Sequence, residues 1–229
     1  MTTKAYFDAG LFRFLRELAQ NNNKQWFEKN RQRYESDVRA PLLRFIADFG
    51  EPLARISRHY VADPRPVGGS MFRVHRDTRF SKDKTPYKTH AAAQFRHEAG
   101  KDVHAPGFYL HLEPGEVFVA AGLWQPEGAA LALVRAAIMR HPDRWKRAAH
   151  GKALRAGWEL SGESLQRPPR GVAADHPLVD DLRRKDFVAW LGLSQKDACS
   201  PRFVERVATA YEQCAPFMQF LTTALELPW

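Results

Sequence analysis

Cysteines are scarce in this sequence and long apolar runs are missing, and each shortage excludes a class of protein. The only cysteines are Cys199 and Cys214, which are too few for a disulfide framework and are not spaced as a metal-binding pair. No apolar stretch reaches the ~20 residues that span a bilayer. The first residues, MTTKAYFDAG, lack a basic head followed by an apolar stretch, so no secretory signal peptide is expected. These features predict a cytoplasmic protein that does not associate with membranes.

Short motifs of several enzyme classes are missing as well. The segment PVGGSM lacks the lysine and the following helix of a P-loop. The segment LSGES lacks the Gly-x-Ser-x-Gly pattern of a nucleophile elbow, and no HxH or HExxH spacing marks a metal site. The sequence therefore predicts no cofactor and no metal ion, and it leaves open whether the protein is an enzyme.

Acidic residues are outnumbered by basic ones. Among 229 residues, 35 are Lys or Arg and 26 are Asp or Glu, which gives a formal net charge of +9. Such an excess favours phosphates, nucleic acids and acidic proteins as partners, but it does not choose among them. The apolar content of 44% is typical of a globular protein with a buried core, and the length suits one large domain or two small ones.

Helical periodicity is found at both ends of the chain. Apolar residues spaced by three and four predict a helix over residues 7–20 and a second helix from about Lys24. Pro41 is expected to kink this second helix or to divide it in two. Towards the other end, Ser200 and Pro201 predict the start of a long helix, as its N-cap and its first helical residue.

Alternating patterns between these helices predict strands. The segments GSMFRVHR, THAAAQFRHE and KDFVAWLGL each predict one strand, and GFYLHLEPGEVFVAAGLW predicts a hairpin. The first strand of the hairpin has apolar side chains on one face and Tyr109, His111 and Glu113 on the other. The returning strand, residues 117–121, is apolar on both faces, so we expect it to lie inside the sheet with both faces covered.

The order of these elements predicts the fold class. Strands grouped in the middle of the chain, with helices before and after them, favour an α+β fold over alternating β-α-β units. No repeat, low-complexity run or linker-like segment divides the chain. We therefore expect a single domain over residues 1–229, with a mostly antiparallel central sheet packed by N-terminal and C-terminal helices.

A dense basic segment, MFRVHRDTRFSKDKTPYKTH at residues 71–90, is the main candidate for a functional site. Six arginines and lysines stand here against only Asp77 and Asp83. Guanidinium groups bind phosphate or carboxylate oxygens in pairs, and lysines add point charge. With two cations from a later basic segment, the predicted ligand-binding residues are Arg73, Arg76, Arg79, Lys82, Lys84, Tyr87, Lys88, Arg167 and Lys185.

Three functions remain open for this segment. The favoured one is binding of a small ligand that bears phosphate or carboxylate, such as a phosphorylated metabolite or a nucleotide. A nucleic-acid-binding module is the first alternative, and it requires a broad positive face and strongly salt-dependent binding. The second alternative is a structural or protein-interaction domain without catalytic activity, in which the cations of the segment pair within the chain. The sequence does not predict the oligomeric state.

Two further features each have a structural and a functional interpretation. His90 and His111 can meet across the sheet beside Glu113, and two histidines with one carboxylate suit a divalent metal. Ordinary sheet histidines with hydrogen-bond partners are the structural interpretation, and since no metal-binding spacing is present we predict no metal site. Trp124, which follows the central strand, either lines the mouth of a pocket or caps the core.

Four stretches of the sequence together resemble one family. They are NNNKQWFEKNRQRYE, FRVHRDTRFSKDKTPYKTH, GFYLHLEPGEVFVAAGLWQPE and LQRPPRGVAADHPLVDDLRRKDF. These stretches span most of the chain and are similar to the opening helix, the signature, the central hairpin and the late basic segment of the uncharacterised DUF2461 family. The resemblance implies a single soluble domain, and it implies no known activity.

Overall fold

The computed structural model describes residues 5–100 and 105–229, and it begins with a helical region. Asp8 caps the first helix by accepting a hydrogen bond from the Gly10 N–H at 2.7 Å, and Asn23 caps the second by accepting from the Trp26 N–H at 3.0 Å. The helices of this region are α1 (Ala9–Gln20), α2 (Lys24–Lys29), α3 (Arg31–Arg33), a π-helix (Tyr34–Arg39) and α4 (Ala40–Ile56).

The second helix predicted from the sequence is interrupted at Asn30. The helical run from Arg31 to Ile56 passes through Pro41 without a break, so the division expected at Pro41 is not found there. The π-helix lies directly before α4, and Pro41 stands in the first turn of α4. Proline has no N–H to donate to the preceding turn, so the helical ladder loses a hydrogen bond there, and a wider π turn is one way to accommodate the loss.

The middle of the chain forms one antiparallel sheet. Its strands are β1 (Tyr60–Val61), β2 (Ala91–His97), β3 (Gly107–Glu113), β4 (Glu116–Leu123), β5 (Glu159–Ser161) and β6 (Phe187–Leu193). They lie in the order β1-β2-β3-β4-β6-β5, and every pair is antiparallel. The predicted α+β class and antiparallel sheet are thus confirmed, and β4 lies inside the sheet as expected.

Helices again dominate the second half of the chain. They are α5 (Gly128–Arg140), α6 (Pro142–His150), α7 (Lys152–Arg155), α8 (Val179–Arg183), α9 (Gln195–Ala198) and α10 (Phe203–Ala224). Helix α10 begins at Phe203, a little later than predicted, because Ser200 accepts a hydrogen bond from the Arg202 N–H in a turn that precedes the helix. Among the described residues, no helix has the length and the apolar character needed to cross a membrane.

The two faces of the sheet have different surroundings. Phe95 and Phe108 are fully buried on the face that packs against α4 and α10. Their rings lie 4.9 Å from that of Phe49 and 4.6 Å from that of Tyr211, respectively. Such burial of large aromatic rings dominates the energy of a core. Helices therefore cover this face of the sheet. The segment that precedes β2 lies beside the opposite face.

That opposite face carries a row of mixed side chains. The strand register places Gln94, Tyr109, Ala120 and Trp190 side by side across β2, β3, β4 and β6. Ala120 and its neighbours border a groove, so β4 is not covered on this face as it is on the core face. The cover expected on both faces of β4 is therefore complete on the core face and partial on this face, where Ala120 is buried and Phe118 is half-buried.

Residues 71–76 do not form the strand predicted from GSMFRVHR. Met71 makes an isolated bridge to Ala93, and the chain then bends back so that His75 bridges Tyr87. The predicted alternation of exposed and less exposed side chains is still found, since Arg73 is exposed and the residues on either side of it are half-buried. A regular strand does not form because this segment meets the edge of β2 at one point only and then pairs with the returning part of its own loop.

Candidate functional site

A groove with a cavity volume of about 480 Å³ lies on the open face of the sheet. The sheet supplies its floor, and the basic segment at residues 71–90 supplies one wall. The residues that line it include Phe72, Lys88, His90, Gln94, Tyr109, Phe118, Ala120, Gly122 and Trp124. A concave, mainly apolar site with a few polar groups is the usual form of a small-molecule site.

Glycine keeps part of this floor open. Gly107 and Gly122 are paired across β3 and β4, so two adjacent positions on the groove carry no side chain. Gly122 has a φ of +143°, and a Cβ built there would lie 1.9 Å from the Phe187 carbonyl oxygen. No other residue fits at this position without a shift of the backbone, because the close contact is with main-chain atoms.

Trp124 stands at the rim of the groove. Its side chain is 52% exposed, although it also lines the cavity. Of the two interpretations from the sequence, the lining of a pocket mouth agrees with this position. Exposed indole rings of this kind present a flat apolar surface together with one hydrogen-bond donor.

Lys88 is the one predicted basic residue that lines the groove among the described residues. Its Nζ donates a hydrogen bond to the Arg73 carbonyl oxygen at 3.1 Å and lies 4.9 Å from the centre of the Phe72 ring. Burial lowers the pKa of Lys88, and the positive charge of Arg73 lowers it further. No carboxylate of the described chain pairs with this ammonium group, so its charge is incompletely balanced.

Two arginines of the loop, Arg76 and Arg79, are paired with aspartates of the same loop. Arg76 donates to the Asp83 carboxylate and to the Thr85 hydroxyl, and Arg79 donates to Asp77 at 2.7 Å. The hydrogen bonds from Arg79 are the main cause that lowers the pKa of Asp77 to about 2. Short-range pairing of this kind is what the structural interpretation of the segment requires.

The other predicted site residues are more scattered. Lys84 donates to the Thr78 carbonyl oxygen at 2.8 Å, and Lys185 pairs with Glu163 at 2.9 Å. The side chains of the remaining three cations form no hydrogen bond or ion pair within residues 5–100 and 105–229 and are exposed: Arg73, Lys82 and Arg167. The structure therefore does not bring Arg167 and Lys185 to the groove.

Tyr87 faces the protein interior instead of solvent. Its side chain is only 3% exposed, and its ring stacks on that of Phe27 with 4.1 Å between the centres. Asn22 holds the Tyr87 backbone from both sides, accepting from its N–H at 3.0 Å and donating to its carbonyl at 2.9 Å. The tyrosine thus anchors the basic segment to the N-terminal helices, and its ring is not available to stack on a ligand.

A cluster of two histidines and one carboxylate lies at one end of the groove. One ligand atom from each of His90, His111 and Glu113 falls within 4.8 Å of the others. Glu113 Oε2 is 3.1 Å from His111 Nε2 and 4.0 Å from His90 Nδ1. Burial, with a smaller contribution from the charge of His111, lowers the pKa of His90 to about 4, so this imidazole is neutral at pH 7.

Neighbouring hydroxyl groups hold two members of the cluster. The Tyr109 hydroxyl is 2.9 Å from His111 Nδ1, and the Thr89 hydroxyl donates to Glu113 Oε1 at 2.7 Å. The His111 ring also stacks on the Phe118 ring at 4.6 Å. The two hydroxyls contact the other ring nitrogen of His111 and the other oxygen of Glu113. His111 Nε2 and Glu113 Oε2 therefore face each other, 3.1 Å apart.

Most of the chain matches one known protein family. Residues 10–220 match the family model of a conserved hypothetical protein, DUF2461. The chain belongs to this family. No curated protein and no solved structure matches it. The resemblance noted from four stretches of the sequence is confirmed, and the family description names no activity.

Several groove residues of this DUF2461 member were not singled out from the sequence. Phe72, Gln94 and Phe118 line the cavity. Phe72 and Phe118 lie within stretches that resemble the family, but no chemical motif marks any of the three as a site residue. The alternation of β3 did place Tyr109 and His111 on one face. Their neighbours on β2 and β4 depend on the strand register, which one strand's sequence does not contain.

Proposed function

We propose that this protein binds a small anionic ligand with a flat apolar body in the groove, in the cytosol. The observation that carries the proposal is the Lys88 ammonium group, half-buried in the groove wall and without a carboxylate partner in the described chain. A phosphate or carboxylate placed beside it would supply the missing countercharge. The exposed guanidinium of Arg73, which is close enough to lower the pKa of Lys88, adds positive charge at the same place.

The walls around Lys88 favour a ring-bearing ligand. The Phe72 and Tyr109 rings meet edge to face at 6.0 Å, and the Tyr109 and Phe118 rings lie 5.8 Å apart. Their arrangement leaves aromatic surface along a cavity whose volume of about 480 Å³ is in the range of small-molecule sites. A ligand with a flat ring would pack against this surface while its anionic group contacts Lys88.

This proposal narrows the site predicted from the sequence. The anion contact is assigned to Lys88 and Arg73, and the loop cations Arg76 and Arg79 are assigned to holding the loop through their aspartates. The nucleic-acid alternative is supported by the net charge of +9. It differs in requiring phosphate contacts spread over a wide surface.

A binding screen with two matched lysine variants tests the proposal. Thermal shift and calorimetry would be run with phosphorylated metabolites, nucleotides and aromatic carboxylates, each at low and high salt. Stabilisation by one small ligand is expected for the natural protein and for Lys84→Gln, whose lysine lies outside the groove. Lys88→Gln is expected to bind about 10- to 100-fold more weakly, because it loses one charge-assisted hydrogen bond.

Two results would overturn the proposal. Equal ligand affinity in Lys88→Gln and in the natural protein would show that the groove lysine is not the anion contact. Stabilisation by oligonucleotides alone, lost as the salt concentration rises, would favour the nucleic-acid alternative.

A further inference from the structure

We propose that His90, His111 and Glu113 form a binding site for a divalent transition-metal ion at the end of the groove. The inference concerns the protein alone and does not depend on the proposed anionic ligand. It departs from the expectation drawn from the sequence, where no motif indicated a metal. The sequence already allowed His90 and His111 to meet across the sheet beside Glu113, and the structure adds that ligand atoms of all three lie within 4.8 Å of one another.

The distances in the cluster are close to those of a metal site. Ligand atoms bound at 2.0–2.1 Å in a tetrahedral arrangement are about 3.3 Å apart. Glu113 Oε2 lies 3.1 Å from His111 Nε2 and 4.0 Å from His90 Nδ1. A small rotation of the His90 side chain would therefore complete a three-residue set.

The outer contacts of the cluster are those that metal ligands need. A histidine ligand is generally oriented by a partner on its other ring nitrogen, and a carboxylate ligand by a hydrogen bond to its other oxygen. The Tyr109 hydroxyl occupies this place at His111 Nδ1, and the Thr89 hydroxyl occupies it at Glu113 Oε1. His111 Nε2 and Glu113 Oε2 lie 3.1 Å apart, and a metal ion bound between them would take the place of this contact.

Access and charge also suit a cation. The side chains of His90 and Glu113 are 28% and 27% exposed, so an ion can enter from solvent. Glu116 lies opposite Glu113 in the hairpin and adds a second negative charge nearby. Lys88 opposes the cation, since its charge acts on His90. An open coordination position near Lys88 would be filled by water or by an anionic group.

The donor set indicates the class of metal. Two imidazoles with one carboxylate suit Zn²⁺, Fe²⁺, Co²⁺ or Ni²⁺, whereas Mg²⁺ and Ca²⁺ prefer sites made of oxygen ligands alone. Within the described part of the chain, no other group of three His, Cys, Asp or Glu residues converges in this way. We therefore expect one site per chain with a strong preference for transition metals.

Metal titration of the untagged full-length protein tests the inference. Calorimetry with Zn²⁺ and the visible spectrum of added Co²⁺ would measure stoichiometry and nitrogen coordination, with Mg²⁺ as the negative comparison. One equivalent of Zn²⁺ is expected to bind. His90→Ala and Glu113→Gln are expected to weaken its affinity by about 100-fold or more, and Thr89→Ala by about 10-fold, as for an outer contact.

His59→Ala is the matched control, because His59 pairs with Glu98 at 2.6 Å but belongs to no such cluster within residues 5–100 and 105–229. It is expected to bind Zn²⁺ as the natural protein does. Lys88→Gln is also expected to keep the metal while losing the anionic ligand, so the two proposals can fail separately. Equal Zn²⁺ binding in the natural protein and His90→Ala, or the absence of a Co²⁺ spectrum in the natural protein, would overturn the inference even if a variant failed to fold.

Discussion

The loop at residues 76–85 and the groove wall at residues 88–90 belong to one basic segment, but their charges have different surroundings. Arg76 and Arg79 are engaged by aspartates of the same loop. Lys88 is half-buried against the Phe72 ring, and its ammonium group donates to no carboxylate of the described chain. An ion pair at the surface contributes little to stability, whereas a desolvated and unpaired charge is costly and therefore suggests a function.

This difference in surroundings distinguishes the cations of the basic segment that are candidates for ligand binding from those that are paired within the loop. Charge density alone pointed equally to all cations of the segment, including the two arginines that are paired with aspartates of the loop. Burial without a counter-ion selects Lys88, and convergence of donor atoms selects the neighbouring His90. Four variants would test this contrast, in addition to the ligand and metal experiments.

The largest effect is expected from Tyr87→Ala, which removes the anchor that the loop and the groove wall share. The ring is buried and stacks on Phe27, so its loss should lower the free energy of unfolding by about 3–5 kcal/mol. Chemical denaturation would measure the change. Phe80→Ala is the control, since that ring is 94% exposed and its removal should be nearly neutral. Similar losses in both variants would mean that the loop is not anchored by the core.

Lys88→Met should stabilise the ligand-free protein by about 0.5–2 kcal/mol, the usual range for a favourable substitution. The folded state holds the pKa of Lys88 below its ordinary value of 10.5. The natural protein therefore gains stability as the pH rises toward 10.5, because the buried ammonium loses its proton, and the advantage of Lys88→Met should shrink over that range. Denaturation at a series of alkaline pH values measures this, and a constant difference would argue against a desolvated charge.

A smaller effect is expected from Arg76→Ala in the loop. The pair with Asp83 is exposed, so the melting temperature should fall by no more than about 2–4 °C, and ligand binding in the groove should not change. Thermal denaturation and the binding screen measure the two quantities. If Arg76→Ala lost as much ligand affinity as Lys88→Gln, Arg76 would belong to the binding site, and the proposed difference between the loop and the groove wall would be wrong.

The smallest effect concerns acid. The Thr85 N–H and the Arg76 guanidinium lower the pKa of Asp83 from its ordinary 3.8 to about 2. Its contribution is therefore present above the unfolded value and is lost as the pH falls through about 2. Asp83→Asn should flatten the stability profile slightly between these two pH values. If the stability of Asp83→Asn changed with pH in the same way as that of the natural protein, the Thr85 and Arg76 contacts would not lower the pKa of Asp83.

Some parts of the site were accessible from the sequence and others were not. The alternation in GFYLHLE placed Tyr109, His111 and Glu113 together on one face, because side chains of a strand point alternately to its two sides. The pattern in GSMFRVHR led to a strand that is not formed, because the edge of β2 meets this segment only at Met71. The nine predicted ligand residues include Lys88, but nothing local distinguishes it from Lys82 or Lys84.

By itself, the sequence determined the α+β class and the family, because periodicity, element order and long motifs are properties of neighbouring residues along the chain. It also pointed to the segment that contains the candidate site. Only the tertiary structure decided which charges are balanced and which donor atoms converge. His90 and Glu113 are brought together by the register of β2 and β3, and Lys88 is desolvated by the Phe72 ring. Burial and convergence depend on distances through space, so they exist only once the sheet has formed.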